Sequence, residues 1–321
     1  MRSQSLKIIA SIILLPIVFA SGCTAQPYPY ATQSFEPTLT PFQPAPTTAP
    51  TAKLPTSTPT LVPITPTEET TMRITPTQSP EEQTDEPAAP TPIKQSTVVH
   101  EPGIITVPIL LYHHISETID TQYNVHPDRF AEQMKWLYDR GYSTISVGDL
   151  AHVIRDGGML PARPVILTFD DGYRDVYEYA YPILQQHGFF ATFYIIGETV
   201  DKKGALSTDE LLELVSNGWE IGSHSMSHTN LKEDNNWDYE IYYSKVFLEE
   251  KLGIEILTYA YPYGVANTAI MGYTYDSGYS AAVGLGSIMN HDKDNLHFLH
   301  RKEMKSWYDL DFFEEFMPWK D

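Results

Sequence analysis

The chain has 321 residues, 42% of them hydrophobic, and its 41 acidic against 21 basic residues give a formal net charge of −20. That balance excludes recognition through a phosphate-neutralising basic surface, so no nucleic-acid partner is expected. The single cysteine, Cys23, excludes an intramolecular disulfide.

The chain opens as an address. Arg2 and Lys7 precede an apolar run from Ile8 to Ala20, broken by Pro16 and followed by Ala20-Ser21-Gly22-Cys23. A charged start, a short apolar stretch and small residues are the layout of a secretory leader, and the run is short for a membrane span. It resembles a bacterial lipoprotein signal, with Ala20 standing where that signal usually has leucine. The resemblance implies lipidation of Cys23 and an extracytoplasmic chain whose only membrane contact is that lipid. Residues 1–23 are therefore assigned to the leader and its cysteine.

Residues 24–102 are rich in Pro and Thr, with few large apolar groups to offset the entropy of ordering, and are expected to form a disordered tether. At ~3.1 Å per residue in polyproline geometry such a tether reaches at most about 240 Å, far enough to carry a domain out into a cell wall. Residues 103–321 form the globular part. Domains of ~200 residues bury about 70% of the surface that their unfolded chains expose, so no second subunit is required and a monomer is expected.

Beyond Gly103, apolar β-branched runs alternate with amphipathic stretches, which points to a parallel α/β architecture. Strands are expected at Ile105–Tyr112, Ser143–Ser146, Val165–Phe169, Ala191–Ile196, Glu220–Gly222, Leu257–Tyr261, Ser280–Gly284 and Leu296–Leu299. Helices are expected at Pro127–Arg140, Tyr173–His187, Thr208–Asn217 and Tyr239–Leu252. In the first helix Phe130, Met134 and Leu137 recur at helical spacing, Pro127 suits the first turn and Gly141 the C-terminal stop. Seven or eight such units favour a barrel over an open sheet, with reactive groups at the C-terminal ends of the strands.

Three polar clusters fall at those ends. Val165-Ile166-Leu167-Thr168-Phe169 stops at Asp170-Asp171-Gly172. Adjacent carboxylates repel, so they call for a cation, a shared proton or full solvation, and a solvated turn is the plain alternative. The second cluster, Ser223-His224-Ser225-Met226-Ser227-His228, sets two imidazoles four apart, where they meet on one face of a helical turn. With a carboxylate they make a two-histidine, one-carboxylate set that leaves room for water and substrate. The third is Tyr259-Ala260-Tyr261-Pro262-Tyr263-Gly264, where a strand breaks at a turn whose N–H groups could face an oxyanion. Tyr173, Trp237, Tyr263 and Trp307 are the aromatic candidates for a sugar cleft, packing being the alternative for each.

Thr168-Phe169-Asp170-Asp171-Gly172, the His224/His228 pair and Tyr261-Pro262-Tyr263-Gly264 resemble the first three motifs of the NodB-type polysaccharide deacetylases, carbohydrate esterase family four, over about Val107 to the C-terminus. The resemblance implies a distorted (β/α) barrel, Asp171, His224 and His228 as metal ligands, and Asp170 as catalytic base. It also implies an oxyanion contact at the Pro262–Tyr263 turn. The expected ion is Zn²⁺, with Co²⁺ or Ni²⁺ as alternatives.

The family's later Leu-x-His motif, source of the general acid, does not stand near the C-terminus, where Leu299-His300 is one residue too tight. Leu111-Tyr112-His113 fits at the other end. The poly-N-acetylglucosamine deacetylases of the family, whose domain is circularly permuted, are similar in this respect. His113 is accordingly assigned as acid, with His114 and His300 as alternatives. Many members also carry an arginine just before the third motif, where this chain has Ala260 and Tyr261; Arg301 is expected to take over its contact with the base.

The implied reaction removes N-acetyl groups from a polysaccharide built on N-acetylglucosamine, an exopolysaccharide or a cell-wall glycan, and releases acetate. An O-acetyl esterase acting on xylan or another polymer, and a catalytically inactive wall-binding lipoprotein, are the competing readings.

Overall fold

The computed structural model describes residues 96–320. The leader, Cys23 and the tract from 24 to 95 lie outside the described residues. All six residues of Pro164–Phe169 are buried, the signature of a parallel strand covered on both faces. Seven such strands make the core: β1 (Ile109–Tyr112), β2 (Pro164–Phe169), β3 (Thr192–Ile195), β4 (Glu220–Ser223), β5 (Thr258–Ala260), β6 (Ala281–Leu285) and β7 (Leu299–Glu303). They follow one another round a ring in chain order, all parallel, and β1 pairs with both β7 and β2. This closes a seven-stranded barrel and leaves it no free edge. A short strand, Ser143–Thr144, pairs with Pro164 and Val165 at the start of β2, whereas β3 joins β2 only at Thr168 and Phe169.

Alternation along the strands sorts the side chains. Ile109, Ile166, Tyr194, Ala260, Val283 and Leu299 belong to one apolar cluster. Leu110, Leu167, Phe169, Phe193, Ile221 and Tyr259 point the other way, into the layer shared with the helices. Those helices are α1 (Pro127–Asp139), α2 (Val147–Asp156), α3 (Tyr181–Gln185), α4 (Thr208–Ser216), α5 (Ser244–Leu252), α6 (Thr268–Asp276) and α7 (Leu310–Glu315).

Helix α1 starts and stops where its sequence dictates: Pro127 lies in the first turn, the His126 imidazole accepts the Asp128 N–H at 3.2 Å, and Gly141 takes φ 71° just past the end. Helices α2 and α4 open with reciprocal capping boxes, Ser146/Asp149 and Ser207/Glu210. Wider π turns at Val176–Ala180 and Asp238–Tyr243 lead into α3 and α5. Among the described residues no helix is long and apolar enough to cross a membrane.

Several elements depart from the sequence reading. The run Ile105–Tyr112 divides at Val107-Pro108 into β1 and a two-residue strand, Ile105–Thr106, antiparallel to Asn290–His291. The last strand is Leu299–Glu303 and not Leu296–Leu299. The chain turns first, the Phe298 N–H donating to the Asn295 carbonyl at 2.8 Å, and pairing with β6 begins at Leu299. Helices α2, α6 and α7 were not anticipated. Thr97–His100, inside the tract assigned to the tether, pairs antiparallel with Gly158–Pro161.

His291 gives the fold a titratable weak point. It is buried, Nε2 lies 3.1 Å from the Val107 carbonyl oxygen and Nδ1 has no partner. Burial, only partly offset by that hydrogen bond, pushes its pKa down to about 4. A depressed histidine contributes stability that is complete above the unfolded-state value near 6.5 and is lost as pH falls through the folded value. Urea unfolding should therefore show the native chain losing up to about 3 kcal/mol more than His291→Gln between pH 7 and pH 4. Equal losses in the two proteins would exclude this account.

Candidate metal centre

The site is built where β1, β2, β4, β5 and β7 end. At the close of β2, the Asp170 N–H donates to the Tyr112 carbonyl at 3.1 Å, prolonging the ladder by one residue. Asp171 and Gly172 then turn the chain away with φ of 75° and 79°. Asp170 is thereby buried in the lumen, while Asp171 stands at its rim, partly exposed.

At the close of β4 the His224 N–H donates to the Ile195 carbonyl at 2.9 Å. The expected helical turn between His224 and His228 does not form. Ser225 and His228 adopt left-handed backbone, φ 66° and 62°, and the Ser225 hydroxyl accepts the His228 N–H at 2.8 Å. This irregular loop still brings the two rings to 4.8 Å between centroids.

Asp171 Oδ1 lies 3.4 Å from His224 Nε2 and 3.5 Å from His228 Nε2. All three ligand atoms fall within 4.8 Å of one another, the one such group of three or more among the described residues. An ion bonded tetrahedrally at about 2.0–2.1 Å separates its ligand atoms by about 3.4 Å, so the residues fit a Zn²⁺-sized ion. The tautomer fits as well. His224 Nδ1 lies 2.8 Å from the Ala260 carbonyl oxygen at the end of β5, which makes Nδ1 the donor and leaves the Nε2 lone pair facing Asp171.

Asp170 has a different partner. Arg301, on β7, donates from both terminal nitrogens, to Oδ1 at 2.6 Å and Oδ2 at 2.7 Å, and a further bond reaches the Thr168 hydroxyl at 3.2 Å. Burial drives the Asp170 carboxyl upward, but the Arg301 charge, the nearby His224 and the Arg301 hydrogen bonds together hold it below the ordinary carboxylate value. Burial likewise opposes ionisation of Asp171 and is outweighed by the hydrogen bond and charge of His224, then by His113 and His228, leaving its pKa well below normal.

His113 follows β1 and lines the same cavity, its ring 4.9 Å from that of Tyr123 and its Nδ1 buried without a partner. Burial lowers its pKa against the pull of Asp170 and Asp171. The cavity, about 350 Å³, is also lined by Asp170, Asp171, His224, Arg301, Tyr173 and Tyr263. Tyr263 has φ 60° in the turn after β5, leaves 58% of its surface exposed and holds its ring 4.8 Å from His228. Gly264 admits no substitute there, because a Cβ would come within 2.2 Å of Leu285.

The other sequence candidates lie elsewhere. His114 stacks on Tyr173 at 3.7 Å and its Nδ1 lies 2.6 Å from Asp175. His300 neighbours Arg301 in β7 and so faces the opposite side of the barrel wall, where it packs edge-on to Phe298. Trp237 spends its indole N–H on the Leu231 and Asp234 carbonyls, and Trp307 is exposed beside Tyr308. Sequence reasoning missed Tyr123, Leu285 and Glu303, which also line the cavity. Glu303, ion-paired with Lys305, could have been found from the alternation Leu299, Arg301, Glu303 along β7.

Residues 157–282 match the family model described as polysaccharide deacetylase. The Bacillus subtilis protein YxkH, provisionally named a polysaccharide deacetylase, is 29% identical over 197 residues, 61% of this chain and 70% of that protein. The poly-beta-1,6-N-acetyl-D-glucosamine N-deacetylase of Staphylococcus aureus is 27% identical over 173 residues, 49% of this chain; the chain thus spans 59% of that relative's length. Among solved structures, the Streptococcus pyogenes deacetylase PplD in complex with acetate superimposes with a TM-score of 0.61 at 25% identity, covering 66% of this chain and 98% of that one.

Removing one partner of a buried ion pair strands the other charge, at a typical cost of about 3–5 kcal/mol. Arg301→Leu should destabilise the chain by that amount in urea unfolding. Adding Asp170→Asn should recover a large part of the loss, since a neutral amide has less to lose by burial. If the double variant were no more stable than the single one, the stranded carboxylate would not be the cause.

Proposed function

We propose that the chain, whose residues 157–282 match the polysaccharide deacetylase family, is a NodB-type, metal-dependent N-deacetylase of an N-acetylglucosamine polymer. The observation that carries the reading is the convergence of Asp171, His224 and His228 within 4.8 Å of one another, beside a cavity that the Asp170–Arg301 pair also lines. A divalent ion held by those three residues, Zn²⁺ or alternatively Co²⁺ or Ni²⁺, supplies Lewis-acid polarisation of the acetamide carbonyl and acidifies water.

The chain's own groups then divide the proton transfers. Asp170, kept ionised by Arg301, is the base that takes the proton of the attacking water. The water oxygen bonds to the acetyl carbon, and the Tyr263 N–H is the donor assigned to the oxygen that becomes negative, with Pro262 fixing the turn. His113 is the acid. Once protonated, it gives its proton to the sugar nitrogen as the C–N bond breaks. Acetate and a glucosamine unit leave.

A poly-N-acetylglucosamine substrate is supported by the likeness to the staphylococcal poly-beta-1,6-N-acetyl-D-glucosamine N-deacetylase, and acetate as product by the acetate bound to the streptococcal neighbour. Lipidation at Cys23 would anchor the enzyme to the outer face of a bacterial membrane, with the tract assigned to residues 24–102 as tether and the catalytic domain working as a monomer. That part of the proposal rests on the leader sequence alone.

The test is acetate release from N-acetylglucosamine oligomers, peptidoglycan and acetylxylan, with and without chelator. Activity on the N-acetylated polymers that chelation abolishes and Zn²⁺ restores is expected, and release from acetylxylan alone would favour the esterase. Asp170→Asn should keep its metal and lose about 10²–10⁴-fold in turnover. His228→Ala should lose metal and turnover together. Full turnover in Asp170→Asn would refute the assignment of the base.

A further inference from the structure

The loop carrying His224 and His228 has no regular structure, and two of its five residues hold left-handed backbone, Ser225 at φ 66° and His228 at φ 62°. Such conformations persist only where the surroundings impose them. One side of the loop is laced to the chain after β3: the Gly197 N–H donates to the Ser225 carbonyl at 3.0 Å and the Glu198 N–H to the Met226 carbonyl at 2.9 Å. Contact there is close, since a Cβ on Gly197 would come within 2.4 Å of the Met226 sulfur.

The opposite side is held by one carboxylate. Glu240 Oε2 accepts the N–H groups of Met226 at 3.1 Å and Ser227 at 2.9 Å, and Oε1 accepts the Ser227 hydroxyl at 2.6 Å. Glu240 is 2% exposed and sits in the Asp238–Tyr243 π turn ahead of α5. Its own carbonyl accepts the Ser244 hydroxyl at 2.8 Å, which ties the turn to the helix. All three contacts of the Glu240 carboxylate fall on the two residues immediately before His228.

We propose that Glu240 is a positioning residue for the metal centre. It fixes residues 225–228 in the shape that presents His228 Nε2 to Asp171 and His224, so that its loss weakens ion binding more than it weakens the barrel. The inference rests on the reading of Asp171, His224 and His228 as metal ligands. Two features make the ion the sensitive reporter. His228 is the most exposed of the three ligand side chains, and its ring is aimed by the backbone of this loop. By contrast, His224 is already fixed by the β4 ladder and the Ala260 carbonyl.

The experiment uses the purified full chain, stripped of metal. Zn²⁺ affinity is read by competition with a chromophoric chelator, coordination by the visible absorption of the Co²⁺-loaded form, and folding by thermal melting of the metal-free protein. Glu240→Ala should lose about 10–100-fold in Zn²⁺ affinity, as is usual for an outer partner of a metal site, with an altered Co²⁺ spectrum. Its metal-free melting point should stay within a few degrees of the native value. Glu240→Gln keeps an oxygen for both N–H donors and should return to within about threefold of native affinity, showing that geometry and not charge is at work.

Native affinity in Glu240→Ala, or a Gln variant as weak as the Ala variant, overturns the proposal. Should Glu240→Ala fail to fold, Ser227→Ala removes only the hydroxyl contact. It should lower affinity by a few-fold with unchanged metal-free melting, and unaltered affinity there overturns the proposal equally. A native chain that binds no Zn²⁺ sinks the metal reading itself, whereas native binding matched by Glu240→Ala sinks only the positioning role.

Discussion

The two parallel hydrogen bonds between Arg301 and Asp170 are the interaction on which the site depends. A carboxylate in a barrel lumen loses its hydration, and without compensation it would take up a proton. Arg301 supplies a full opposite charge in bidentate geometry, and its own desolvation is relieved by Thr168 and by the face of Tyr194, whose ring centroid lies 5.3 Å from the guanidinium carbon. Replacing the pair with apolar residues would be tolerable to the barrel. What such a core would lack is an ionised acceptor beside the Asp171, His224 and His228 group, which the proposed chemistry requires.

Backbone conformation tells the same story. Of the five non-glycine residues with left-handed φ among those described, four are Asp171, Ser225, His228 and Tyr263, and only Asp201 lies elsewhere. Each such residue costs roughly 1–3 kcal/mol, which the surrounding structure must absorb. The cost concentrates where three chain segments reverse direction to point side chains into one cavity. A helix or strand at these positions would have spared the strain and separated the candidate ligands.

Legibility in the sequence followed burial. Strands β2, β3, β4 and β5 were readable because both their faces are covered, and the apolar run of β2 ends abruptly at Asp170. Strand β7 was misplaced because Arg301 and Glu303 face a polar lumen, so that Leu-His-Arg-Lys-Glu carries no apolar alternation. Helix α2 escaped notice although Ser146 and Asp149 form a full capping box, because the expected strand Ser143–Ser146 absorbed its N-cap. The candidate metal-ligand set was legible as residue types. The path of the His224–His228 loop was not, since spacing four suggests a helix and the contacts that prevent one come from Gly197 and Glu198, far away in the chain.

Barrel closure explains how an acid candidate can come from the first strand. β1 lies between β7 and β2, with Leu110 opposite both Lys302 and Leu167. In a closed ring the strand bearing His113 has the same neighbours whether the chain begins or ends with it, because only the connecting loop changes. The contact between Asp170 and Arg301 spans 131 positions in sequence yet crosses a single intervening strand. Distance along the chain is thus a poor guide to which residues share this cavity. Position round the ring and inward or outward alternation are the better guides, and both place His113 and Arg301 with Asp170 while turning His300 away.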